Sequence, residues 1–338
     1  MIRPFLSSVT RISDLEPGNY DTTQLPRENW ASGDYVVGRV LDTRGHLNTV
    51  ELPSGRMVEV MEDDLVVGAF GNRVATLEAV GSWESIDDSG EFNALTSAGL
   101  FGRTTSLSPF LSSPMRLQYQ GHVTREGQKV TMSGCIPEIE TAPLTAPVIL
   151  IVGTSMSAGK TMSGRVIVHL LSQMGLNVIG AKLTGAARYR DMLSFADAGA
   201  TAVYDFVDAG LPSSACDEST YRDALTYLLS RIAMDKPDVV VAEAGASPLE
   251  PYNGRIAKEM IRDQVCFKLL CAQDPYAVVG VQQAFQRAPD LVAGGAANTE
   301  AGIALVGELS GLPALNLMEP ASRDKLASLL SDAMPRVP

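Results

Sequence analysis

The sequence predicts an α/β chain in two parts, a small β-rich barrel or sandwich followed by a mostly parallel sheet with flanking helices. Three observations predict it. Short β-branched runs separated by breakers fill residues 34–135, strand and helix patterns alternate after residue 144, and residues 148–171 read strand, glycine-bounded turn, helix.

Length and composition support this division. At 338 residues the chain exceeds one average domain, and 45% hydrophobic residues supply the material for a core. No apolar run approaches the ~20 residues that cross a bilayer, and the opening residues, MIRPFLSSVTR, hold no apolar segment of signal-peptide length. Cys135, Cys216, Cys266 and Cys271 are scattered without close pairs or neighbouring histidines, which argues against a zinc site or a disulfide framework and for a reducing, cytoplasmic home. A net charge of −12 without a basic stretch argues against nucleic acid or an anionic membrane as partner. Such a chain needs a local device if it is to hold phosphate.

In chain order, residues 1–33 carry Pro4, Pro17, Gly18, Pro26 and Gly33 with little periodicity and read as an irregular N-terminal arm. Strands are expected at residues 35–41, 49–52, 57–60 and 74–80, with Pro53-Ser54-Gly55-Arg56 as one of the breakers that make hairpins. Two more, at 115–123 and 130–133, flank a turn at Arg125-Glu126-Gly127-Gln128. The break between domains is expected within residues 137–143, where two prolines and two acids precede a strand, giving a β-rich domain at 34–143 and an α/β domain at 144–338.

Residues 148–152 are an unbroken apolar run bounded by Pro147 and Gly153, suited to a strand buried on both faces of a parallel sheet. Gly153, Thr154, Ser155, Met156, Ser157, Ala158, Gly159, Lys160 and Thr161 then lead into residues 166–171, which read as helix. A loop of this kind surrounds an anion with backbone N–H groups and the positive helix end, while the lysine reaches outer phosphates and the threonine hydroxyl sits on magnesium. Five residues rather than the commoner four separate Gly153 from Gly159, and an ordinary βα turn is the alternative.

Further strands are expected at 177–182, 202–206, 239–242, 267–271 and 290–294, with helices after the loop, through 195–199 and over 221–234. In a parallel sheet ligands bind beyond the carboxyl ends of the strands, which picks out Lys182 and Glu243. Glu243 is a candidate for magnesium or its waters; otherwise it caps the Ala244-Gly245 turn. Lys182 is placed to meet an anion, or is a surface charge. Asp191, in Arg188-Tyr189-Arg190-Asp191, joins the metal shell or is a first-turn helix acid, and the arginines are candidates for clamping an anion. Asp274 and Asn298 follow strands and are candidates for reading a base or holding substrate. His46, His122 and His169 are isolated, and His169, in an apolar helix run, is expected to be a packed core histidine.

Residues 153–161 resemble the Gly-Thr-x-x-x-x-Gly-Lys-Thr loop of dethiobiotin synthetases, which also has five residues between its glycines. In that likeness Lys182 takes the place of the substrate lysine, and Glu243 that of the acidic strand end. Gly180-Ala181-Lys182, Arg190-Asp191 and Ala198-Gly199-Ala200 are similar to the molybdopterin-guanine dinucleotide protein B family and to an uncharacterised group that includes D-glutamate N-acetyltransferase-like P-loop proteins. The likeness covers residues 146–320 and implies a C-terminal P-loop NTPase domain, ATP (or GTP) and Mg2+ as cofactors, and a homodimer. The synthetases carry Lys-Pro-Val and Glu-Gly-Ala-Gly where this chain has Lys182-Leu183-Thr184 and Glu243-Ala244-Gly245, so their substrate does not carry over. No lysine lies within residues 153–158, so the loop form that lends a lysine to a partner subunit is absent.

Three functions fit these residues. The favoured one is an ATP- and magnesium-dependent ligase- or kinase-like enzyme that activates a small carboxylate or other anionic metabolite by phosphoryl transfer, with Lys160, Lys182 and Glu243 as catalytic residues. Gly153, Thr154, Ser155, Met156, Ser157, Ala158, Gly159, Lys160, Thr161 and Asn298 then bind nucleotide, and Thr161, Glu243 and Asp191 hold the metal. The alternatives are a nucleotide-hydrolysing accessory protein for cofactor assembly and an acyl-CoA-dependent transferase that uses the loop only to hold phosphate.

Overall fold

A computed structural model of the chain describes residues 4–42, 46–245, 247, 249–285 and 288–334. Ala246, within the expected strand-end run 243–247, and residues 1–3 of the expected arm lie outside the described residues. Contacts divide the chain into two compact units. The first comprises Met1–Ile139, Gly185–Arg190 and Phe206–Leu225; the second comprises Glu140–Thr184, Asp191–Asp205 and Thr226–Pro338.

Strands of the first unit begin with β1 (Phe5–Leu6), β2 (Asp21–Thr23), β3 (Tyr35–Asp42), β4 (His46–Leu47), β5 (Thr49–Glu51), β6 (Met57–Glu59) and β7 (Leu65–Phe70). They continue with β8 (Asn72–Val74), β9 (Ala79–Ser82), β10 (Glu91–Ala94), β11 (Leu100–Leu107), β12 (Ser113–Pro114), β13 (Arg116–Arg125) and β14 (Gln128–Lys129). Five of them close on themselves in the order β7-β3-β13-β10-β11, because β11 also pairs with β7, in parallel, through Leu100↔Ala69 and Phe101↔Phe70. The expected β-rich part is thus a barrel, and Val36, Val40, Val66, Phe70, Phe92, Phe101 and Leu117 belong to its core. Gly68 lets the ring close. A Cβ there would stand 2.3 Å from the Gly99 carbonyl oxygen and 2.5 Å from the Phe101 ring.

Several sequence expectations need correction in this unit. Residues 1–33 are not wholly irregular, since β1 pairs with β7 and β2 with β13. The strand expected at 74–80 is a hairpin bend between β8 and β9, held by Ala75 N–H to Ala79 O at 3.0 Å and Glu78 N–H to Ala75 O at 2.9 Å. Its alternating apolar residues are the ends of two short strands rather than one face of a single strand. After β13 the chain turns at Glu126 and Gly127, both at positive φ; β14 ends at Lys129, and beyond it 130–133 forms no regular strand, keeping only the bridge between Thr131 and Asp34 and isolated backbone bonds such as Val130 N–H to Val123 O at 2.9 Å. His122 is not isolated. It is wholly buried, 2.6 Å from the Tyr119 hydroxyl through Nδ1 and 3.2 Å from the Asp34 carboxylate through Nε2.

The second unit holds a six-stranded sheet of β15 (Val148–Gly153), β16 (Val178–Thr184), β17 (Ala202–Asp205), β18 (Val239–Ala244), β19 (Val265–Cys271) and β20 (Leu291–Ala293). Every pairing is parallel, in the order β17-β16-β18-β15-β19-β20. The helices between and after these strands are α1 (Lys160–Gln173), α2 (Tyr189–Asp197), α3 (Glu218–Met234), α4 (Gly254–Met260), α5 (Pro275–Phe285), α6 (Glu300–Ser310) and α7 (Arg323–Ala333). The central strands are almost wholly buried and mainly apolar, as two-sided burial demands, with Lys182, Thr184 and Glu243 the polar exceptions near their carboxyl ends. Gly164 of α1 and Gly180 of β16 make room for Phe195, whose ring a Cβ would meet at 2.3 Å and 2.8 Å. His169 is exposed, contrary to the expected packed histidine, because the buried stripe of α1 runs through Ile167, Val168, Leu170 and Leu171. No helix among the described residues is long and apolar enough to cross a membrane.

Candidate functional site

β15 ends at Gly153 and α1 begins at Lys160, so residues 154–159 are the whole connection between a central strand and its helix. Gly159 sits at φ 94°, a left-handed conformation that turns the chain into the helix. The amide groups of the first helical turn, from Lys160 onward, have no acceptor four residues earlier within the helix and carry its positive end. Glycine at 153 has a steric reason. The Lys160 stem folds back over it, and a Cβ would come within 2.9 Å of both Cδ and Nζ.

Lys160 is 2% exposed, and its ammonium donates to the Ser155 carbonyl oxygen at 2.7 Å. Burial pulls its pKa below the ordinary lysine value, with Glu243 opposing. Beside it, the Thr161 hydroxyl donates to Glu243 Oε2 at 3.0 Å. Glu243 lies within β18, one residue before its end, and the turn that follows is tied down by Thr184, whose hydroxyl donates to the Gly245 carbonyl at 3.0 Å.

Sheet register sets the rest of the site. Asp205 of β17 is paired with Lys182 of β16, Lys182 with Glu243 of β18, and Glu243 with Ile151 of β15. Three ionisable side chains therefore stand consecutively in one row, all buried, and the row turns apolar at Ile151 just before the loop. The Lys182 ammonium donates to Asp191 Oδ2, in the first turn of α2, at 2.7 Å. Burial pulls Lys182 down, but Asp191, Glu243 and Asp205 together outweigh it and leave the ammonium above its ordinary value. Asp205 carries no motif in the sequence; β17 ends on it rather than at Phe206, which sets its carboxylate at the carboxyl end of the strand.

The structure thus brings together Lys160, Thr161, Glu243, Lys182 and Asp191. A strand-end loop also reaches the glycine-bounded segment, since Gly294 after β20 is so close that a Cβ would lie 2.3 Å from the Ala158 carbonyl oxygen. Asn298, four residues on, is exposed, and its own carbonyl accepts from Asn316 at 3.1 Å. Asp274 caps α5, accepting from the amides of Tyr276 and Ala277 at 2.9 Å and 3.0 Å. Arg188 and Arg190 have exposed side chains.

The donor set fits a magnesium ion. Neighbouring ligands in an octahedron with Mg–O near 2.1 Å lie about 3.0 Å apart, and the Thr161 and Glu243 oxygens are 3.0 Å apart. Among the described residues no group of three His, Cys, Asp or Glu could hold a metal ion by itself, so phosphate oxygens and water would complete the shell.

A buried parallel sheet whose central strand passes through a glycine-bounded, lysine-bearing loop into a helix is a P-loop NTPase fold. No protein-family model and no curated protein matches the chain. Among solved structures, hydrogenase maturation factor HypB from Archaeoglobus fulgidus is similar at 14% identity, covering 56% of this chain and 91% of that one, with a TM-score of 0.40. Chloroplast FtsY from Physcomitrella patens is similar at 16% identity over 58% of this chain and 67% of that one, with a TM-score of 0.38. A duf1611 family protein from Anabaena variabilis is similar at 17% identity over 56% of this chain, which spans 58% of that protein's length, with a TM-score of 0.37. The assignment of the fold rests on residues 148–173 and the sheet around them.

Proposed function

We propose that the chain is a magnesium- and nucleoside-triphosphate-dependent enzyme that transfers a phosphoryl group to a small anionic acceptor. The observation that carries this reading is Lys182, a second buried ammonium on the strand beside the Thr161–Glu243 pair. A protein that only binds and hydrolyses nucleotide has less need of it, because Lys160 already serves the phosphates.

In this reading the first-turn amides of α1 and the Lys160 ammonium hold the outer phosphates and neutralise charge as the terminal group departs. Lys160 would exchange the Ser155 carbonyl for phosphate oxygen. Thr161 and Glu243 would hold magnesium, which draws charge from the phosphate oxygens when bound. Lys182 orients the acceptor's oxyanion, and Asp205 and Glu243 keep that lysine charged although it is out of water. We place the protein in the cytoplasm and expect a homodimer; both follow from composition and resemblance and belong to the same proposal.

The test is release of ADP or GDP by the purified protein with magnesium, alone and with a panel of small carboxylic and phosphorylated acids, beside Lys160→Ala. Release that requires one acid and vanishes in the variant supports transfer. Steady release without any acid would favour a hydrolysing accessory protein, and bound nucleotide with no release would favour a loop that only holds phosphate.

A further inference from the structure

We propose that Asp191 occupies, on the Lys182 ammonium, the place that the acceptor's anionic group takes, so that the site is closed by an internal carboxylate until an oxyanion displaces it. The inference rests on the phosphoryl-transfer reading and specifies its acceptor. Asp191 and Lys182 are 2.7 Å apart, at charge-assisted hydrogen-bond distance. Of the three carboxylates around Lys182, two are fixed in the sheet. Asp205 is 0% exposed and Glu243 3% exposed, on strands β17 and β18, and Glu243 is also held by Thr161. Asp191 differs, because it projects from the first turn of a helix and its side chain is 19% exposed. Its carboxylate already borders solvent, so rotation about its side chain would return it to water, a route that burial denies to the other two.

The consequence for specificity follows from charge. After Asp191 leaves, Asp205 and Glu243 stay, and Lys182 remains an ammonium already stripped of water. An incoming carboxylate or phosphate restores the pair that was lost. A neutral alcohol or amide does not, because it replaces a charge-assisted hydrogen bond with a weaker neutral one, and so it competes poorly with Asp191. The acceptor class is therefore an oxyanion-bearing metabolite, and its apparent affinity is lowered by the fraction of time that Asp191 holds the lysine.

Asp191→Asn removes the competing charge at nearly constant shape, and Asp191→Ser is a second variant that suits a helix N-terminal turn. Each protein is first saturated with magnesium and a non-hydrolysable ATP analogue, which fills the loop, and is then titrated with inorganic phosphate by calorimetry. Both variants should bind phosphate about tenfold or more tightly than the unsubstituted chain, and the gain should vanish in Asp191→Asn/Lys182→Gln. Unchanged or weaker phosphate binding in both single variants would overturn the proposal. So would a gain that survives loss of Lys182, or weakened magnesium-dependent nucleotide binding, which would make Asp191 a metal ligand instead. If the unsubstituted chain fails to bind the analogue, the phosphoryl-transfer reading fails separately, and the same Lys182-dependent gain is then required with phosphate alone.

Discussion

Replacing Gly294 by alanine should disturb the loop of residues 154–159 from the neighbouring end of β20. Gly294 lies at φ 83° and ψ −158°, a region essentially reserved for glycine, so alanine there costs about 1–3 kcal/mol in backbone strain. Its Cβ would also stand 2.3 Å from the Ala158 carbonyl and 3.0 Å from that of Ala272, against an ordinary contact of 3.4–4 Å. Relief requires a shift of about 1 Å in the loop or in the β20 end, and misplacement on that scale costs about a hundredfold where charged groups must be aligned. The expected outcome is a loss of about 2–4 kcal/mol in stability, together with a roughly hundredfold weaker affinity for magnesium-ADP. Thermal unfolding and calorimetric titration read the two effects. A variant with unchanged melting temperature and unchanged nucleotide affinity would refute the claim that this glycine seats the loop.

Three other outcomes follow from the same kind of geometry. Gly68→Ala should cost about 1–3 kcal/mol or abolish folding, because its Cβ meets the Gly99 carbonyl where the barrel closes; chemical denaturation reads it. Burial pushes the Cys271 thiol from 9.0 up to about 12, so between those pH values the unfolded chain releases a proton that the native chain keeps, and stability falls as pH rises. Cys271→Ala should show a shallower fall between pH 9 and 11 in denaturant titrations than the unsubstituted chain. His122→Ala strips the Tyr119 hydroxyl of its buried partner and leaves a void; it should lower stability by about 2–4 kcal/mol, and an unchanged denaturation midpoint would count against the network.

The loop, its strand and its helix were legible because their signal is local. An apolar β-branched run, two glycines and Gly159-Lys160-Thr161 lie within 14 consecutive residues, and no distant contact is needed to read them. Lys182 and Glu243 were found by rule, as residues near the carboxyl ends of buried strands. Their partners were harder. That Lys182 stands between Asp205 and Glu243 depends on register across three strands, and the Thr161–Glu243 contact joins residues 82 apart. The barrel was legible only as a density of strands. Its β7 is interrupted by Gly68, which weakens the strand pattern in sequence yet is what permits closure, and the parallel β7–β11 pairing has no local signature at all. His169 misled because an apolar neighbourhood on a helix says little about which face a given residue takes. His122 misled in the other direction, since its partners Tyr119 and Asp34 come together only when β13 is in place.

In the proposed function, residues 153–161 bind a magnesium nucleotide through Lys160. Calorimetric titration of the purified chain with magnesium-ADP and magnesium-GDP, beside Lys160→Ala, tests it most directly. Loss of one charge-assisted phosphate contact of about 2–3 kcal/mol should weaken binding by about a hundredfold in the variant. Binding by neither protein, or equal binding by both, would contradict the claim.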